Sequence, residues 1–278
     1  MSRDIAEALR AGQALGLPRL DVQMLLLHAL GRPVHERAWL LAHDGDPLPE
    51  AAQARYLSLL QRRADRVPMA YLTGEHEFFG LRLQVDARVL DPRPDTELLV
   101  EWALECLPDE GRPSVADLGT GSGAIALALA HMRPLAAVCA VDASRDALEV
   151  ARANARRLQL DVEFLPGSWL APLQGRRFDL LVSNPPYIAQ DDPHLAELRH
   201  EPLQALASGA DGLDDLRRIV ADAPAVLQPG ARLLLEHGWD QAAAVRALLL
   251  AAGFVAVESR RDLAGIERCS GGQWPTLR

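Results

Sequence analysis

The sequence predicts an α/β fold, in which a mostly parallel sheet of seven strands follows a small helical domain. From Ser114 onwards, short apolar runs alternate with longer amphipathic stretches, a pattern typical of parallel strands joined by helices. Only the segment from Arg260 to Ala264 separates the last two predicted strands. Because parallel neighbours need a crossover of about a dozen residues or more, we expect the last strand to run antiparallel to its neighbour.

The strands of this sheet are predicted from apolar runs bounded by polar, glycine or proline residues. They lie near residues 114–118, 136–141, 161–165, 178–183, 230–236, 254–259 and 265–270, and the helices lie near 123–132, 144–158, 212–227 and 239–252. The continuous run Leu180–Val182 is of the kind found in strands that are buried on both faces.

The N-terminal region, from residue 2 to about 73, is predicted to be helical. Apolar residues recur there at helical spacings, and glycine and proline residues separate the segments. A long helix is expected from Pro49 to about Arg66. We expect a helical domain at 1–73, a connecting β-hairpin at 74–92 with Gly80 at its turn, and the main domain at 93–278.

A dense polar loop, Leu90–Glu97, follows the predicted hairpin and leads into a helix. Asp95 and Thr96 are both candidate caps for the start of that helix, since short polar side chains accept from its free N–H groups. Arg93 is a candidate ion-pair partner for Glu97.

Composition excludes several classes of protein. A net charge of −9 over 278 residues argues against nucleic-acid binding through a broad basic surface. Cys106, Cys139 and Cys269 are far apart and predict neither a disulfide framework nor a metal site. The N-terminus does not resemble a signal peptide, and no apolar run reaches the roughly 18 residues of a membrane span. We therefore expect a cytoplasmic protein that does not bind membranes.

A glycine-rich loop, Gly119–Gly123, joins the first strand of the sheet to its first helix. Glycines let the backbone turn tightly and approach a ligand, and the helix start offers free N–H groups. Asp142 ends the next strand, where a carboxylate can accept both hydroxyls of a ribose. The loop also satisfies the dinucleotide pattern G-x-G-x-x-A, so a nicotinamide-dependent dehydrogenase is an alternative.

Asp117, just before the glycines, favours one of these alternatives. A dinucleotide site places pyrophosphate at this loop, and an adjacent carboxylate would repel it. S-adenosylmethionine has no phosphate and carries an ammonium and a sulfonium group. The loop is therefore interpreted as a site for S-adenosylmethionine.

The stretch FDLLVSNPPY, Phe178–Tyr187, ends a predicted central strand in a rigid polar loop. Neither proline has an N–H, so the strand must stop there. The Asn184 side chain and the Pro185 carbonyl can accept both N–H groups of a planar amino group, and Tyr187 can stack on it. The simpler interpretation is a proline-rich turn with Asn184 as a capping residue.

Together, these motifs resemble those of S-adenosylmethionine-dependent methyltransferases with a seven-stranded Rossmann-like sheet. The NPPY sequence is similar to that of enzymes that methylate planar amino nitrogens. Four further segments are similar to the peptide chain release factor glutamine methyltransferases, the PrmC or HemK family: Thr73–Glu75, Pro92–Glu97, Glu201–Leu206 and Glu236–Trp239. This resemblance covers essentially the whole chain.

The resemblance implies S-adenosylmethionine as cofactor and the Gly-Gly-Gln loop of class I peptide chain release factors as substrate. It implies no metal and no direct nucleic-acid partner, and a helical domain and hairpin that help to dock the release factor. The implied cofactor-binding residues are Asp117 near the amino group, Gly119, Thr120, Gly121, Ser122 and Gly123 along the methionine, Asp142 at the ribose, Trp169 near the adenine, and Asn184. Asn184, Pro185, Pro186 and Tyr187 would bind the glutamine amide, with catalytic roles for Asn184, Pro185 and Tyr187.

Three alternatives stay open at this point. An N6-adenine DNA methyltransferase shares the NPPY chemistry, but it would need a basic groove. A noncatalytic adaptor would bind release factors or ribosomes through the helical domain. Finally, the chain carries its own Gly271-Gly272-Gln273, which raises the hypothesis of self-methylation at Gln273.

Overall fold

The computed structural model describes residues 4–108 and 110–276. Its chain forms two compact units, Met1–Glu75 and His76–Arg278. Within residues 4–108 and 110–276, no helix is both long enough and apolar enough to cross a membrane.

The first unit is helical, with α1 (Ile5–Ala14), α2 (Arg19–Ala29), α3 (Arg37–Ala42), α4 (Glu50–Ala64) and α5 (Met69–Thr73). The Asp4 side chain caps α1 by accepting from the Glu7 N–H at 2.7 Å. Buried leucines of α2 and the buried Tyr56 of α4 form the centre of its core. Gly12 allows α1 to pack closely against α4, since a Cβ at this position would lie 2.5 Å from the Tyr56 hydroxyl oxygen.

A hairpin of β1 (Glu75–Phe78) and β2 (Leu81–Gln84) starts at the last residue of the first unit and otherwise belongs to the second, and its turn contains Gly80 with a positive φ. The rest of the unit alternates helices and strands. In chain order these are α6 (Asp95–Cys106), β3 (Ser114–Leu118), α7 (Ala124–Met132), β4 (Ala137–Asp142), α8 (Arg145–Leu158), β5 (Glu163–Pro166), β6 (Phe178–Ser183), α9 (Asp214–Asp222), β7 (Leu227–Glu236), α10 (Ala242–Ala251), β8 (Val255–Arg261) and β9 (Glu267–Gln273).

The seven-stranded sheet has the order β5-β4-β3-β6-β7-β9-β8. The first five strands in this order pair in parallel, and β9 runs antiparallel to both β7 and β8. The α/β class and the antiparallel last strand are therefore confirmed. After β3 the chain moves outward through β4 and β5, then returns to place β6 on the other side of β3. Open α/β sheets bind ligands at such a reversal, at the carboxyl ends of the strands.

The position of β9 between β7 and β8 depends on its glycines. Gly271 is buried, and a Cβ there would lie 2.5 Å from Leu234 Cδ2 and 2.9 Å from the Trp102 ring. The third residue of the chain's own Gly-Gly-Gln, Gln273, pairs with Arg232 in the middle of β7 and with Val255, the first residue of β8. The Gln273 side-chain amide donates to the Gly230 carbonyl at 2.9 Å. Gln273 therefore lies at the sheet edge opposite the carboxyl ends of the parallel strands, which excludes self-methylation within one folded molecule.

The start of α6 differs from the prediction. Pro94 occupies the capping position, and no side-chain hydrogen bond caps the helix. Asp95 and Thr96 lie instead in its first turn. Their side chains are used elsewhere, because Asp95 faces Arg268 at 3.2 Å and Thr96 faces Asn184.

Candidate active site

The glycine loop and the NPPY segment (Asn184–Tyr187) follow neighbouring strands. Leu118 at the end of β3 pairs with Ser183 at the end of β6, and the Ser183 hydroxyl donates to the Leu118 carbonyl at 2.6 Å. The strand order therefore brings together two motifs that are separated by some sixty residues in the sequence.

The glycine loop is fixed to β4 by hydrogen bonds. The N–H groups of Gly119 and Thr120 both donate to the Val141 carbonyl, at 2.8 and 3.0 Å. One oxygen of Asp142 accepts from the Gly121 N–H at 2.8 Å, and the other accepts from the Ser144 N–H at 2.8 Å. Burial raises the pKa of Asp142. The Asp142 carboxylate therefore fixes the glycine loop in place. The resemblance implies that the same carboxylate also binds the ribose.

Asp117 lies beneath this loop and is fully buried. Its Oδ2 accepts from the Thr120 hydroxyl at 2.7 Å and from the Ala126 N–H at 3.2 Å. Its Oδ1 has no hydrogen-bond partner among the residues that the structure describes. Burial raises the pKa of this carboxyl to about 7, because a charge is costly away from water. An added cationic donor would satisfy the unpaired oxygen and stabilise its charge.

Trp169 packs over the glycine loop with a positive φ of 50°. A Cβ at Gly119 would lie 3.0 Å from its ring atom Cζ3, so glycine is needed at that position. The indole N–H donates to Asp215 Oδ1 at 3.0 Å, and Asp215 Oδ2 accepts from the Ser208 hydroxyl at 2.7 Å. The tryptophan ring is thus held in one orientation by α9.

The NPPY segment has partners at both ends. Asn184 Nδ2 donates to the Thr96 hydroxyl oxygen at 3.1 Å. The Tyr187 hydroxyl lies 3.5 Å from Glu236 Oε1, and its backbone carbonyl accepts from Gln241 Nε2 at 3.0 Å. Pro185 and Pro186 between them are buried. This arrangement fixes the loop firmly before any substrate binds.

A cavity of about 270 Å³ lies at this edge of the sheet, close to the roughly 300 Å³ at which small-molecule sites begin. Of the residues predicted from the sequence, Gly119, Gly121, Asp142, Trp169, Asn184 and Pro186 line it. The others, Asp117, Thr120, Ser122, Gly123, Pro185 and Tyr187, are outside the cavity lining. The predicted residues are thus divided between those that face the cavity and those that support it.

The cavity also contains residues that the sequence did not indicate. Arg88, Val89 and Leu90 contribute from the segment after β2, Ser144 from the start of α8, Pro202, Gln204 and Ala205 from a short 3-10 helix and its flank, and Asp215 and Arg218 from α9. The segment Glu201–Leu206 supported the resemblance without suggesting a role. Asn154 of α8 was also missed. This buried side chain donates to the Ser122 carbonyl at 2.9 Å and exchanges two hydrogen bonds with the Gln84 backbone.

Arg93 does not pair with Glu97 as expected. Its guanidinium contacts the buried carboxylate of Glu201 at 2.5 Å, and Glu201 also accepts from the Asp91 N–H at 3.2 Å. Glu97 accepts instead from a backbone N–H of the hairpin turn at 2.8 Å. The ion pair therefore joins the polar loop before α6 to the segment that lines the cavity.

Comparisons with known proteins show the family of this chain. Residues 3–74 match the model of the PrmC N-terminal domain, and residues 94–211 match that of the methyltransferase small domain. A release factor glutamine methyltransferase from Burkholderia pseudomallei is 54% identical over 97% of this chain and 96% of its own length. One from Bordetella pertussis is 55% identical over 92% of this chain and 95% of its own length.

The chain belongs to the release factor glutamine methyltransferase family. It is therefore an S-adenosylmethionine-dependent methyltransferase, as the resemblance of its motifs implied. Solved structures agree with the fold. A Pyrococcus furiosus methyltransferase superposes with a TM-score of 0.56 at 18% identity, over 72% of this chain and 91% of its own. A T. thermophilus 16S rRNA methyltransferase in complex with AdoMet and guanosine gives 0.54 at 22% identity, over 72% and 49%.

The residues at this edge fit the cofactor of the family. The unpaired oxygen of Asp117 suits an ammonium group. Gly121 has a positive φ, with open space where a Cβ would lie, so a ligand can approach its backbone closely. This edge of the sheet thus presents a carboxylate and exposed backbone groups, which fits a cofactor that carries positive charge and no phosphate.

Proposed function

We propose that this chain transfers a methyl group from S-adenosylmethionine to the side-chain amide nitrogen of the glutamine in the Gly-Gly-Gln motif of class I peptide chain release factors. The observation that carries the proposal is that Asn184 lines the same cavity as Gly119, Gly121 and Asp142. A group that can hold a planar amide therefore lies beside the loop proposed to hold the cofactor. The names of relatives at 54% and 55% identity support the substrate.

The chemistry required is positioning. The lone pair of an amide nitrogen is delocalised, so the nitrogen is a poor nucleophile. In the proposal, Asn184 Oδ1 and the Pro185 carbonyl accept its two N–H groups and aim the nitrogen at the electrophile, while Tyr187 stacks on the amide plane. Two buried prolines keep this loop rigid, so alignment contributes to lowering the barrier.

The cofactor, when bound, supplies the electrophilic methyl group. Asp117 is proposed to hold its ammonium group, Gly119–Gly123 its methionine part, Asp142 its ribose and Trp169 its adenine. The sulfonium would supply the methyl group that replaces one hydrogen of the amide nitrogen, and that hydrogen would leave as a proton to water. The products are N-methylglutamine and S-adenosylhomocysteine, and no metal is required.

The two ends of the chain are proposed to have different tasks. Residues 1–73 and the hairpin segment 74–92 are proposed to dock the release factor, and residues 93–278 to hold the cofactor and carry out the transfer. Because release factors act in translation, the proposal implies a cytoplasmic enzyme with a protein partner.

The test is methyl transfer from labelled S-adenosylmethionine to a purified class I release factor. A release factor with Gln→Ala in its Gly-Gly-Gln loop and a DNA duplex serve as controls. The proposal expects label on the wild-type factor alone. Label on the Gln→Ala factor would refute the assigned site, and label on DNA would favour an N6-adenine DNA methyltransferase. Cofactor binding without any transfer would favour a noncatalytic adaptor.

Asn184→Ala tests the assigned residue. The variant loses one of the two proposed acceptors for the amide, so turnover should fall far more than affinity for S-adenosylhomocysteine. Equal loss of both would contradict the role given to Asn184.

A further inference from the structure

Asn154 of α8 connects two separate parts of the second unit through its side chain. It is one of only two asparagines in the chain, the other being Asn184, and it is fully buried. Its Oδ1 accepts from the Gln84 N–H at 2.7 Å, and its Nδ2 donates to the Gln84 carbonyl at 3.0 Å. The same Nδ2 donates to the Ser122 carbonyl at 2.9 Å. One side chain therefore joins the end of β2 to the glycine loop.

The partners of Asn154 allow only one orientation of its amide. A backbone N–H can only donate a hydrogen bond, and a backbone carbonyl can only accept one. Oδ1 must therefore face the Gln84 N–H, and the NH2 group must face the carbonyls of Gln84 and Ser122. Because a buried polar group without a partner is costly, this side chain keeps its backbone partners in fixed relative positions.

On the side of the glycine loop, Asn154 fixes the peptide that joins Ser122 to Gly123. The carbonyl of this peptide accepts from Asn154, and its N–H donates to the Thr120 carbonyl at 2.8 Å. Gly123 has a φ of 86° and begins α7 without a side-chain cap. Since glycine restricts its backbone little, contacts from outside the loop must hold this peptide in place. Asn154 supplies such a contact.

On the side of the hairpin, Asn154 fixes the end of β2, from which the chain continues into the cavity lining. Val85 follows Gln84 and is 2% exposed. The next residues form a turn, in which the Val89 N–H donates to the Asp86 carbonyl at 3.1 Å. The segment Arg88–Leu90 then lines the cavity. The position of this segment therefore depends on where β2 ends.

We propose that Asn154 is a positioning residue for cofactor binding, which holds the glycine loop and the segment Arg88–Leu90 at the separation that the cofactor requires. This inference rests on the proposed function, in which the cavity holds S-adenosylmethionine. Asn154 is not among the residues that line the cavity, so it acts through the backbone of its partners. The hairpin, to which the proposed function gives release-factor docking, thereby becomes part of the cofactor site.

The first test is Asn154→Asp. Aspartate has the shape of asparagine, but it presents to the two carbonyls an oxygen that accepts hydrogen bonds when ionised. The Kd for S-adenosylhomocysteine in calorimetry should rise roughly tenfold, equivalent to about 1.4 kcal/mol, which is the loss of about one hydrogen bond. The KM for S-adenosylmethionine should rise in parallel. The kcat at saturating cofactor should change little, because other residues hold the NPPY segment.

Arg152→Met is the matched control on the same helix. Arg152 donates to the Phe164 carbonyl of β5 at 3.0 Å, and neither residue lines the cavity. This variant also loses a bond from an α8 side chain to a backbone carbonyl, but its Kd for S-adenosylhomocysteine should stay at the wild-type value. A wild-type Kd in Asn154→Asp, or an equal rise in both variants, would overturn the inference.

Gln84 provides a second pair of variants, which also serves if Asn154→Asp does not fold. Gln84→Pro removes the backbone N–H from which Asn154 accepts, whereas Gln84→Ala keeps it and changes only an exposed side chain. The Kd for S-adenosylhomocysteine should rise about fivefold in Gln84→Pro and stay unchanged in Gln84→Ala. An equal Kd in these two variants would overturn the link between hairpin and cofactor site.

A spectroscopic measurement makes the test independent of activity. Protein labelled with ¹⁵N at asparagine has only two side-chain NH2 groups, those of Asn154 and Asn184, and Asn184→Ala assigns them. The Asn154 signals should shift in Gln84→Pro and stay in place in Gln84→Ala. Unchanged Asn154 signals in Gln84→Pro would overturn the inference. If wild-type protein binds no S-adenosylhomocysteine, the proposed function fails, while these signals still decide whether Asn154 holds the end of β2.

Discussion

The buried carboxyl of Asp117 should make cofactor affinity depend on pH. Its raised pKa of about 7 reflects the cost of an unpaired charge beneath the glycine loop. Between about pH 4 and pH 7 the folded protein without ligand holds a proton here that the unfolded chain has released. This group therefore lowers the stability of the ligand-free fold as the pH rises through that window. A bound ammonium group stabilises the ionised form, so ligand binding must release the proton.

The magnitude follows from the fraction of protein that is ionised. With a pKa of about 7, about half of Asp117 is ionised at pH 7 and about 3% at pH 5.5, so the apparent Kd should be roughly fifteenfold higher at the lower pH. The amino group of the ligand stays charged in this range, because its pKa lies near 7.7–8.0. The change in affinity therefore reports on the protein carboxyl.

Isothermal titration calorimetry with S-adenosylhomocysteine at pH 5.5 and 7.0 measures this change. Asp117→Asn should bind about tenfold or more weakly at pH 7, since a hydrogen bond to a charged group contributes about 1.5–3 kcal/mol, and its affinity should no longer vary with pH in this way. Asp142→Asn is the comparison variant. Because the Asp142 charge also raises the pKa of Asp117, the pH dependence should persist in this variant but move to lower pH. A constant Kd for the wild-type protein over this range would refute the reasoning.

Three further predictions follow from single contacts. Gly212→Ala should lower the free energy of unfolding by about 2 kcal/mol in urea denaturation and reduce methyl transfer, because Gly212 has a positive φ and its Cβ would lie 2.2 Å from the Tyr187 carbonyl oxygen. Asp215→Ala should weaken S-adenosylhomocysteine binding about fivefold by calorimetry, because the Trp169 ring loses its partner. Gln273→Ala should leave transfer to the release factor unchanged in the labelling assay, and mass spectrometry of the wild-type protein with cofactor alone should show no added methyl group, because Gln273 lies at the opposite sheet edge.

Each of these has a clear contrary outcome. Wild-type stability in Gly212→Ala would mean that the NPPY segment tolerates a shift of its backbone. Unchanged affinity in Asp215→Ala would show that the orientation of Trp169 does not affect the binding of S-adenosylhomocysteine. A methylated Gln273 would mean either that one molecule methylates another or that β9 leaves the sheet, which the buried pairing of Gly271 opposes.

Local patterns were sufficient for most elements of the second unit. The seven strands lie within a few residues of their predicted positions. The central strands β3 and β6 match best, because burial on both faces selects continuous apolar side chains. The short segment before β9 correctly predicted its direction, since five residues cannot carry the chain back across a sheet. The same reasoning did not place β9 between β7 and β8, a position that depends on contacts of Gly271 with Leu234 and Trp102.

The two wrong local predictions have a common cause. Asp95 and Thr96 have the side chains of helix caps, and Arg93 lies four residues before Glu97, yet none of these short-range contacts forms. Arg93 pairs with Glu201, which is 108 positions away, because that carboxylate is buried and would otherwise lack a charged partner. In each case a partner that is distant in the sequence but close in the fold takes the place of the expected local partner.

The sequence by itself determined the chemistry of this protein: a strand that ends in Asn184-Pro185-Pro186-Tyr187, and a glycine loop preceded by Asp117. These features depend on neighbours in the chain, which a sequence pattern displays directly. Only the tertiary structure decided which side chains contact these two motifs. The partner of Asn184 is Thr96, 88 positions away, and these two residues meet because the strand order places the end of β6 beside the start of α6. Such a contact depends on the order of the strands in the sheet, and a local sequence pattern does not reveal that order.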